Sequence, residues 1–313
     1  MNVWIIGAGV MSAEYIDVLN ELNIPFKVIG RGVESAEVCR NKYKCEVISG
    51  GLSEYLSTKP EVCTHAIVAV DVDLLCETTI NLLEYNVKNI LTEKPAGLDE
   101  KEIEHISKFT IKKEANVLIA YNRRFFASVN KAKEIIDKDG GVLSFNFEFT
   151  EWSHIIEALD ESEKIKAKYI LANSSHVIDL AFYLGGKPKE IATFSSGALT
   201  WHPSSSIFAG AGISDNGALF SYQANWESAG RWSVEILTKE NRLILRPMEK
   251  LQIQKRGTIA QCFVEDIDYT FDDKYKAGLY LQVQNFFNNN FENMSNISEQ
   301  LGMVDIYNKI ANY

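Results

Sequence analysis

Short apolar runs alternate with amphipathic stretches through the first third of the chain. Asn2–Ile6, Pro25–Ile29, Glu46–Ile48, Ala66–Val70, Asn89–Thr92 and Asn116–Tyr121 read as strands. Between them Ser12–Leu22 and Ser35–Lys44 show helical spacing, and Asp99 followed by Glu102 ahead of Ile103 and Ile106 resembles a capping box. Short buried strands that alternate with helices imply a parallel sheet covered on both faces.

Beyond Tyr121 the pattern changes. Val129–Ile136 has helical spacing, and Val142–Trp152 alternates as a half-exposed strand. Tyr169–Leu184 reads as one helix stopped by Gly185-Gly186 with Pro188 just after. Glu190–Phe194, Ser206–Ile213, Ala218–Trp226, Trp232–Leu237 and Arg242–Leu245 follow as strands, with Asp215-Asn216-Gly217 as a hairpin turn. The tail Leu279–Tyr313 is helical, broken by an Asn-rich stretch. The expected architecture is α/β: a doubly wound parallel sheet over residues 1–121, then an α+β domain with an open, mainly antiparallel sheet over residues 122–313.

The composition agrees with this. The 313 residues suffice for about two domains. With 32 Lys and Arg against 42 Asp and Glu, the net charge is −10, which argues against nucleic acid or an anionic membrane surface as partner. Hydrophobic residues at 46% and charged residues at 24% match a folded globular chain. No apolar run is long enough to span a bilayer, and the N-terminus lacks the basic flank of a signal peptide, so a soluble, cytoplasmic protein is expected. The five cysteines are odd in number and lack metal-ligand spacing; they read as reduced structural thiols, and no metal site is expected.

Gly7-Ala8-Gly9-Val10-Met11-Ser12 lies between the first strand and the first helix, where a dinucleotide fingerprint belongs. Gly7 permits the tight turn, and Gly9 lets the backbone approach a pyrophosphate. The helix start at Val10 and Met11 offers N–H groups to its charge, and Ser12 is small enough for close packing. About twenty residues past Gly9, where a ribose-binding carboxylate would select NAD, the chain has Gly30 and Arg31, with Ser35 after them. A guanidinium offers bidentate donors to a 2′-phosphate and a plane for adenine. NADP is therefore the expected cofactor and NAD the second choice, the alternative being a solvated Arg31 with Glu34 bending back to the ribose.

Three further motifs carry a resemblance. Leu91-Thr92-Glu93-Lys94-Pro95, Tyr121-Asn122-Arg123-Arg124-Phe125 and Ser175-His176-Val177-Ile178-Asp179-Leu180, in this order, resemble the Gfo/Idh/MocA oxidoreductases. The resemblance implies an N-terminal Rossmann domain and a C-terminal α/β domain. It also implies oxidation or reduction of a hydroxyl or keto carbon on a sugar, cyclitol or sugar nucleotide. Under it, Lys94 contacts the reacting hydroxyl and the nicotinamide ribose, His176 is the acid/base, and Glu93 lies at the cofactor. Pro95 fixes the turn that presents Lys94, a turn that a cis peptide would suit. Asn122, Arg123 and Asn173 join His176 as substrate-pocket candidates, with anchoring of the domain junction the alternative for Asn122 and Arg123, and Asp179 orients or caps. The chemistry is sensible on its own terms: hydride transfer from an alcohol carbon also moves the hydroxyl proton. A cation stabilises developing alkoxide, and a group with pKa near neutrality takes the proton. His65, His105, His154 and His202 have no comparable context. One departure stands out: the family's Asp four residues before the histidine is Ala172 here.

The expectation is an NAD(P)-dependent dehydrogenase or reductase acting on CH–OH groups. The alternatives are a glycosidase that uses NAD transiently and a non-catalytic NADP-binding regulator. Trp152 with His154, Trp201 with His202, and Trp226 near Arg231 are candidate sugar planes and donors, the alternative being sheet-face core for the tryptophans and a solvated loop for the lysines nearby. Arg123, Arg124, Lys164, Lys166 and Lys168 are candidate cations for a nucleotide-linked or phosphorylated sugar. The open sheet, with Trp201, Trp226 and Trp232, is expected to build a homodimer or homotetramer.

Overall fold

The computed structural model describes residues 2–313. The chain divides into two compact units, Met1–Asn122 with Asp273–Val304, and Arg123–Asp272 with Asp305–Tyr313.

The first unit is built on β1 (Val3–Ile6), β2 (Phe26–Ile29), β3 (Glu46–Ile48), β4 (His65–Val68), β5 (Asn89–Thr92) and β6 (Asn116–Ile119), all parallel, in the order β6-β5-β4-β1-β2-β3. β1 and β4 are buried at every position, which is why they read as unbroken apolar runs. The helices α1 (Val10–Glu21), α2 (Val33–Tyr43), α3 (Gly51–Ser57), α4 (Leu75–Glu84) and α5 (Glu100–Lys113) connect them. At the start of α5, Asp99 accepts from the Glu102 N–H at 3.0 Å, and the Glu102 carboxylate reaches back to the Leu98 N–H at 2.7 Å. That is one residue further back than the box expected from sequence. Trp4, Ile6, Val68, Ile90, Val117 and Ile119 centre the core.

A single cut after residue 121 is corrected by the return of residues 273–304 to this unit. Two contacts bring them back: α11 (Leu279–Phe287) packs on α1, and β15 (Ser295–Asn296) adds an antiparallel edge to β6. Ile297 and Val304 of α12 (Ile297–Ala311) enter the same core.

The second unit has an eight-stranded sheet. Its strands are β7 (Ser144–Glu148), β8 (Pro188–Ser196), β9 (Ile207–Ser214), β10 (Leu219–Asn225), β11 (Ser233–Leu237), β12 (Asn241–Leu245), β13 (Gln252–Lys255) and β14 (Cys262–Phe263). The order is β14-β13-β12-β11-β7-β10-β9-β8, antiparallel throughout except for the β7–β10 pair. Asn216-Gly217 closes the β9–β10 hairpin, with Gly217 at φ +87° and the Asn216 side chain accepting from the Ala218 N–H. The helices are α6 (Ala127–Lys138), α7 (Ser153–Glu157), α8 (Glu163–Ala167), α9 (Ser175–Gly185) and the start of α10 (Thr270–Lys274), which runs across the division after Asp272. α9 covers one sheet face through Phe182, whose ring meets Phe145, Phe147 and Phe220 edge-on. Gly185 is required there, since a Cβ would stand 2.3 Å from the Phe145 ring.

The single helix expected over Tyr169–Leu184 is divided. Ile170–Ser174 forms a π-helical turn before α9 begins. Such wide turns inside helices recur at functional sites. All five cysteines are free, and burial pushes the Cys63 thiol up to about 12, in keeping with a structural thiol. Among the described residues no helix is long and apolar enough to cross a membrane.

Candidate functional site

In the first unit the glycine turn follows the carboxyl end of β1. Gly7 has φ +114°, and a Cβ on it would lie 2.3 Å from the Ala69 carbonyl oxygen, so the turn demands glycine. Gly9 caps α1 with open space around its Cα: nothing stands within 4 Å of a Cβ built there. Val10 is exposed, Met11 is partly buried and Ser12 is fully buried beneath the turn. No side chain caps α1, so its first N–H groups are available to a ligand anion. Gly7, Gly9, Arg31 and Ser35 line one cavity of about 480 Å³ that also takes in Asp71 and Glu77. Arg31 follows Gly30, whose own N–H is tied to the Ile48 carbonyl. This cavity fits a dinucleotide: a cradle free of Cβ atoms at a helix N-terminus, with a guanidinium at the far strand.

Two strands along the same sheet edge, Glu93 and Lys94 follow the carboxyl end of β5. The Glu93 N–H donates to the Val68 carbonyl at 2.9 Å, and the Lys94–Pro95 peptide is cis. Ala96 then takes φ +75°, a conformation costing an L-residue about 1 kcal/mol. Several partners hold this turn. The Tyr15 hydroxyl donates to the Glu93 carboxylate at 2.7 Å, and the Gln300 amide donates to the Pro95 carbonyl at 3.1 Å while accepting from the Tyr121 hydroxyl at 3.1 Å. Burial raises the Glu93 pKa, opposed by the Tyr15 hydrogen bond and the neighbouring Lys94 charge. Burial, with Glu93 beside it, pushes the Tyr15 phenol well above its ordinary value, so Tyr15 remains a proton donor. Tyr15 and Gln300 carry no sequence signal of this role.

The second unit gathers another cluster. His176, the second residue of α9, is buried, with its ring centroid 6.3 Å from that of Trp232. Asn173 and Ser174, in the π-helical turn, donate to the same Glu151 oxygen at 3.1 and 2.7 Å. Arg231 donates to the other oxygen at 3.1 Å. Glu151 is only 2% exposed, and burial raises its pKa against the pull of Ser174, Arg231 and Asn173. Thus a carboxylate is present beside the turn where Ala172 stands, supplied from the segment after β7. Sequence reasoning missed it because Glu151 lies outside every motif. Arg123, partly buried, has its guanidinium 4.9 Å from the Trp232 ring.

Other expected site residues serve the fold. Asn122 is buried in the first unit and donates to the Ala277 carbonyl at 2.9 Å, which anchors the returning segment. Arg124 is buried and makes two bonds to Asp179, at 2.8 and 2.6 Å, so it has no fork to offer a diphosphate. Trp201 and Trp226 are buried and stacked on one another, with centroids 5.5 Å apart, and His202 packs against both. These rings are core rather than sugar planes, and Trp232 is also buried. Lys166 is buried and donates to the carbonyls of Glu157 and Leu159. Lys168 lies over the Tyr313 ring. Trp152 is 50% exposed.

Taken together, the first unit is a Rossmann-type nucleotide-binding fold with its glycine turn intact. Residues 1–121 match the model of the Gfo/Idh/MocA family, described as an oxidoreductase family with an NAD-binding Rossmann fold. Among solved structures the chain is similar to a levoglucosan dehydrogenase in complex with NADH, at 19% identity and TM-score 0.78, covering 100% of this chain and 96% of that one. It is similar to the UDP-N-acetylglucosamine 3-dehydrogenase from Acidithiobacillus ferrooxidans, at 14% identity and TM-score 0.76, covering 99% and 96%. It is also similar to the WlbA dehydrogenase from Chromobacterium violaceum in complex with NADH and UDP-GlcNAcA, at 14% identity and TM-score 0.75, covering 99% and 92%. At these identities the likeness is one of fold, and it extends over both units. No curated protein matches the sequence.

Proposed function

We propose that this chain is an NADP-dependent dehydrogenase or reductase acting on a hydroxyl or keto carbon of a sugar or sugar nucleotide. The observation that carries the reading is the Glu93-Lys94-Pro95 turn, which shares a sheet edge with the glycine cradle and is held by Tyr15 and Gln300. Open α/β sheets bind their ligands at this edge. When bound, the nicotinamide supplies the hydride acceptor or donor. Lys94 stabilises the substrate oxygen as its proton leaves, and His176 takes or returns that proton. Glu93 sets the charge beside Lys94, and Gly7, Gly9, Val10, Met11, Arg31 and Ser35 hold the dinucleotide. Arg123, Asn173 and His176 contact the substrate. Arg31 in the cofactor cavity supports NADP over NAD.

The similarity to a levoglucosan dehydrogenase and a UDP-N-acetylglucosamine 3-dehydrogenase supports the substrate class. A homodimer or homotetramer through the second-unit sheet belongs to the same reading. Phe194 on β8 is 71%, Ile207 on β9 37% and Leu219 on β10 60% exposed. Calorimetric titration with NADP and NAD, followed by turnover on neutral and nucleotide-linked sugars, tests the proposal. Tighter NADP binding lost in Arg31→Ala, with cofactor reduction on a sugar, is the expected result. Tighter binding of NAD would remove the cofactor preference. Cofactor binding with no hydride transfer to any sugar would remove the enzyme.

A further inference from the structure

The loop entering β11 forms a clamp against the segment that follows β7. The Gly230 carbonyl accepts from the Trp152 indole N–H at 3.1 Å. A Cβ on Gly230 would stand 2.3 Å from a Glu148 carboxylate oxygen and 2.9 Å from Thr150, so the backbone is pressed flat there. The next residue, Arg231, has its guanidinium 4.8 Å from the ring centroids of both Trp152 and Trp232. Its Nη1 is tied to buried Glu151 at 3.1 Å. Glu151 in turn is fixed by Asn173 and Ser174.

This is an unusual setting for a surface arginine. A half-exposed arginine ordinarily samples many rotamers, and its ion pairs contribute little. Here two indoles and a carboxylate that is 2% exposed hold a side chain that is itself 46% exposed. Among the described residues Nη1 alone of its guanidinium nitrogens is hydrogen-bonded, which leaves the other donors of a side chain that is 46% exposed open to a ligand. A second guanidinium, that of Arg123, lies 4.9 Å from the same Trp232 ring. Glu151 and Trp152, though not Arg231 itself, line a neighbouring cavity of about 500 Å³. A pre-positioned guanidinium beside an indole matches a carboxylate or phosphate carried on a ring with an apolar C–H face.

We propose that Arg231 is the receptor for an anionic group on the substrate, a carboxylate or phosphate borne by the sugar, with Glu151 as the residue that positions it. The proposal rests on the sugar-dehydrogenase reading for the identity of the scaffold being a sugar, and it deepens that reading by making the sugar acidic.

The test is ligand-observed NMR titration of the full-length protein, saturated with NADP, using glucose, glucuronate and glucose 6-phosphate. Wild type is expected to bind one of the anionic sugars about tenfold or more tighter than glucose, as a charged hydrogen bond would give. Which anion is preferred distinguishes carboxylate from phosphate. Arg231→Met should abolish the preference and leave NADP affinity within about twofold; because it strands Glu151, the double variant E151Q/R231M serves as the second test and should behave alike. Equal affinity for the three sugars, absence of binding by both anionic sugars, or a preference that survives both variants would overturn the proposal. Turnover separates the two readings. Reduction of NADP on a neutral hexose alone would keep the dehydrogenase and discard the anion receptor, whereas anion-selective binding without hydride transfer would do the reverse.

Discussion

At the scale of single residues, buried charge decides what the motifs can do. Arg124 and Asp179 occur in two of the recognisable motifs, yet they are spent on each other at 5% and 4% side-chain exposure. Removing one partner of such a pair strands the other charge, so Arg124→Met should cost about 3–5 kcal/mol in urea unfolding. Replacing both with apolar residues of similar volume should recover most of that, and a loss below about 1 kcal/mol for the single change would contradict the buried pair. His202 gives a pH-dependent counterpart. Its Nδ1 faces the Ser205 carbonyl, which can only accept, so Nδ1 carries the proton and Nε2 accepts from the Tyr313 hydroxyl. Burial lowers its pKa below 6.5, so the unfolded chain takes up a proton that the folded chain resists. Its contribution is therefore intact above pH 6.5 and drains as the pH falls below that value. His202→Asn should lose about 1–3 kcal/mol at neutral pH. Its gap to wild type should narrow in melts taken toward pH 5; a gap that widens would contradict the assignment. Local motifs pointed to Gly7, Arg31, Lys94 and His176 as candidates. Glu151, Tyr15 and Gln300 were not legible, because their roles depend on partners 22 to 205 positions away.

At the scale of elements, the parallel strands were legible because burial on both faces leaves uninterrupted apolar runs. The β9–β10 hairpin was legible because Asn216-Gly217 states its turn chemistry. The π-helical turn at Ile170–Ser174 was not, since its composition is that of an ordinary helix and side chains bonded to Glu151 occupy its end. The return of residues 273–304 was equally hidden, as β15 is two residues long and pairs only with a distant strand. The turn after β5 is where element packing meets the chemistry proposed for Lys94. Gln300, from α12, holds the Pro95 carbonyl, while Lys94 is presented by the same turn. Gln300→Leu should therefore reduce turnover about tenfold or more while leaving dinucleotide affinity within a few-fold, because a small misplacement of a reacting group is costly. Unchanged turnover would show that the turn holds its shape without α12.

At the scale of the molecule, the strongest expectation from sequence was the class of each sheet, one parallel and one mainly antiparallel, and both are present. Association is expected through the second sheet, where Phe194, Ile207 and Leu219 are exposed. Sedimentation should show a dimer or tetramer at micromolar concentration, and Phe194→Lys should shift it toward monomer; a wild-type monomer would contradict this surface assignment. The central claim is the hydride transfer assigned to the Lys94 turn, and the most direct measurement is the rate of NADP reduction with a panel of neutral, acidic and nucleotide-linked sugars. Wild type is expected to reduce NADP in step with the formation of a keto sugar. Lys94→Met should lower that rate about a hundredfold or more at nearly unchanged NADP affinity. Near-normal turnover by Lys94→Met, or NADP binding without reduction on any sugar of the panel, would contradict the account.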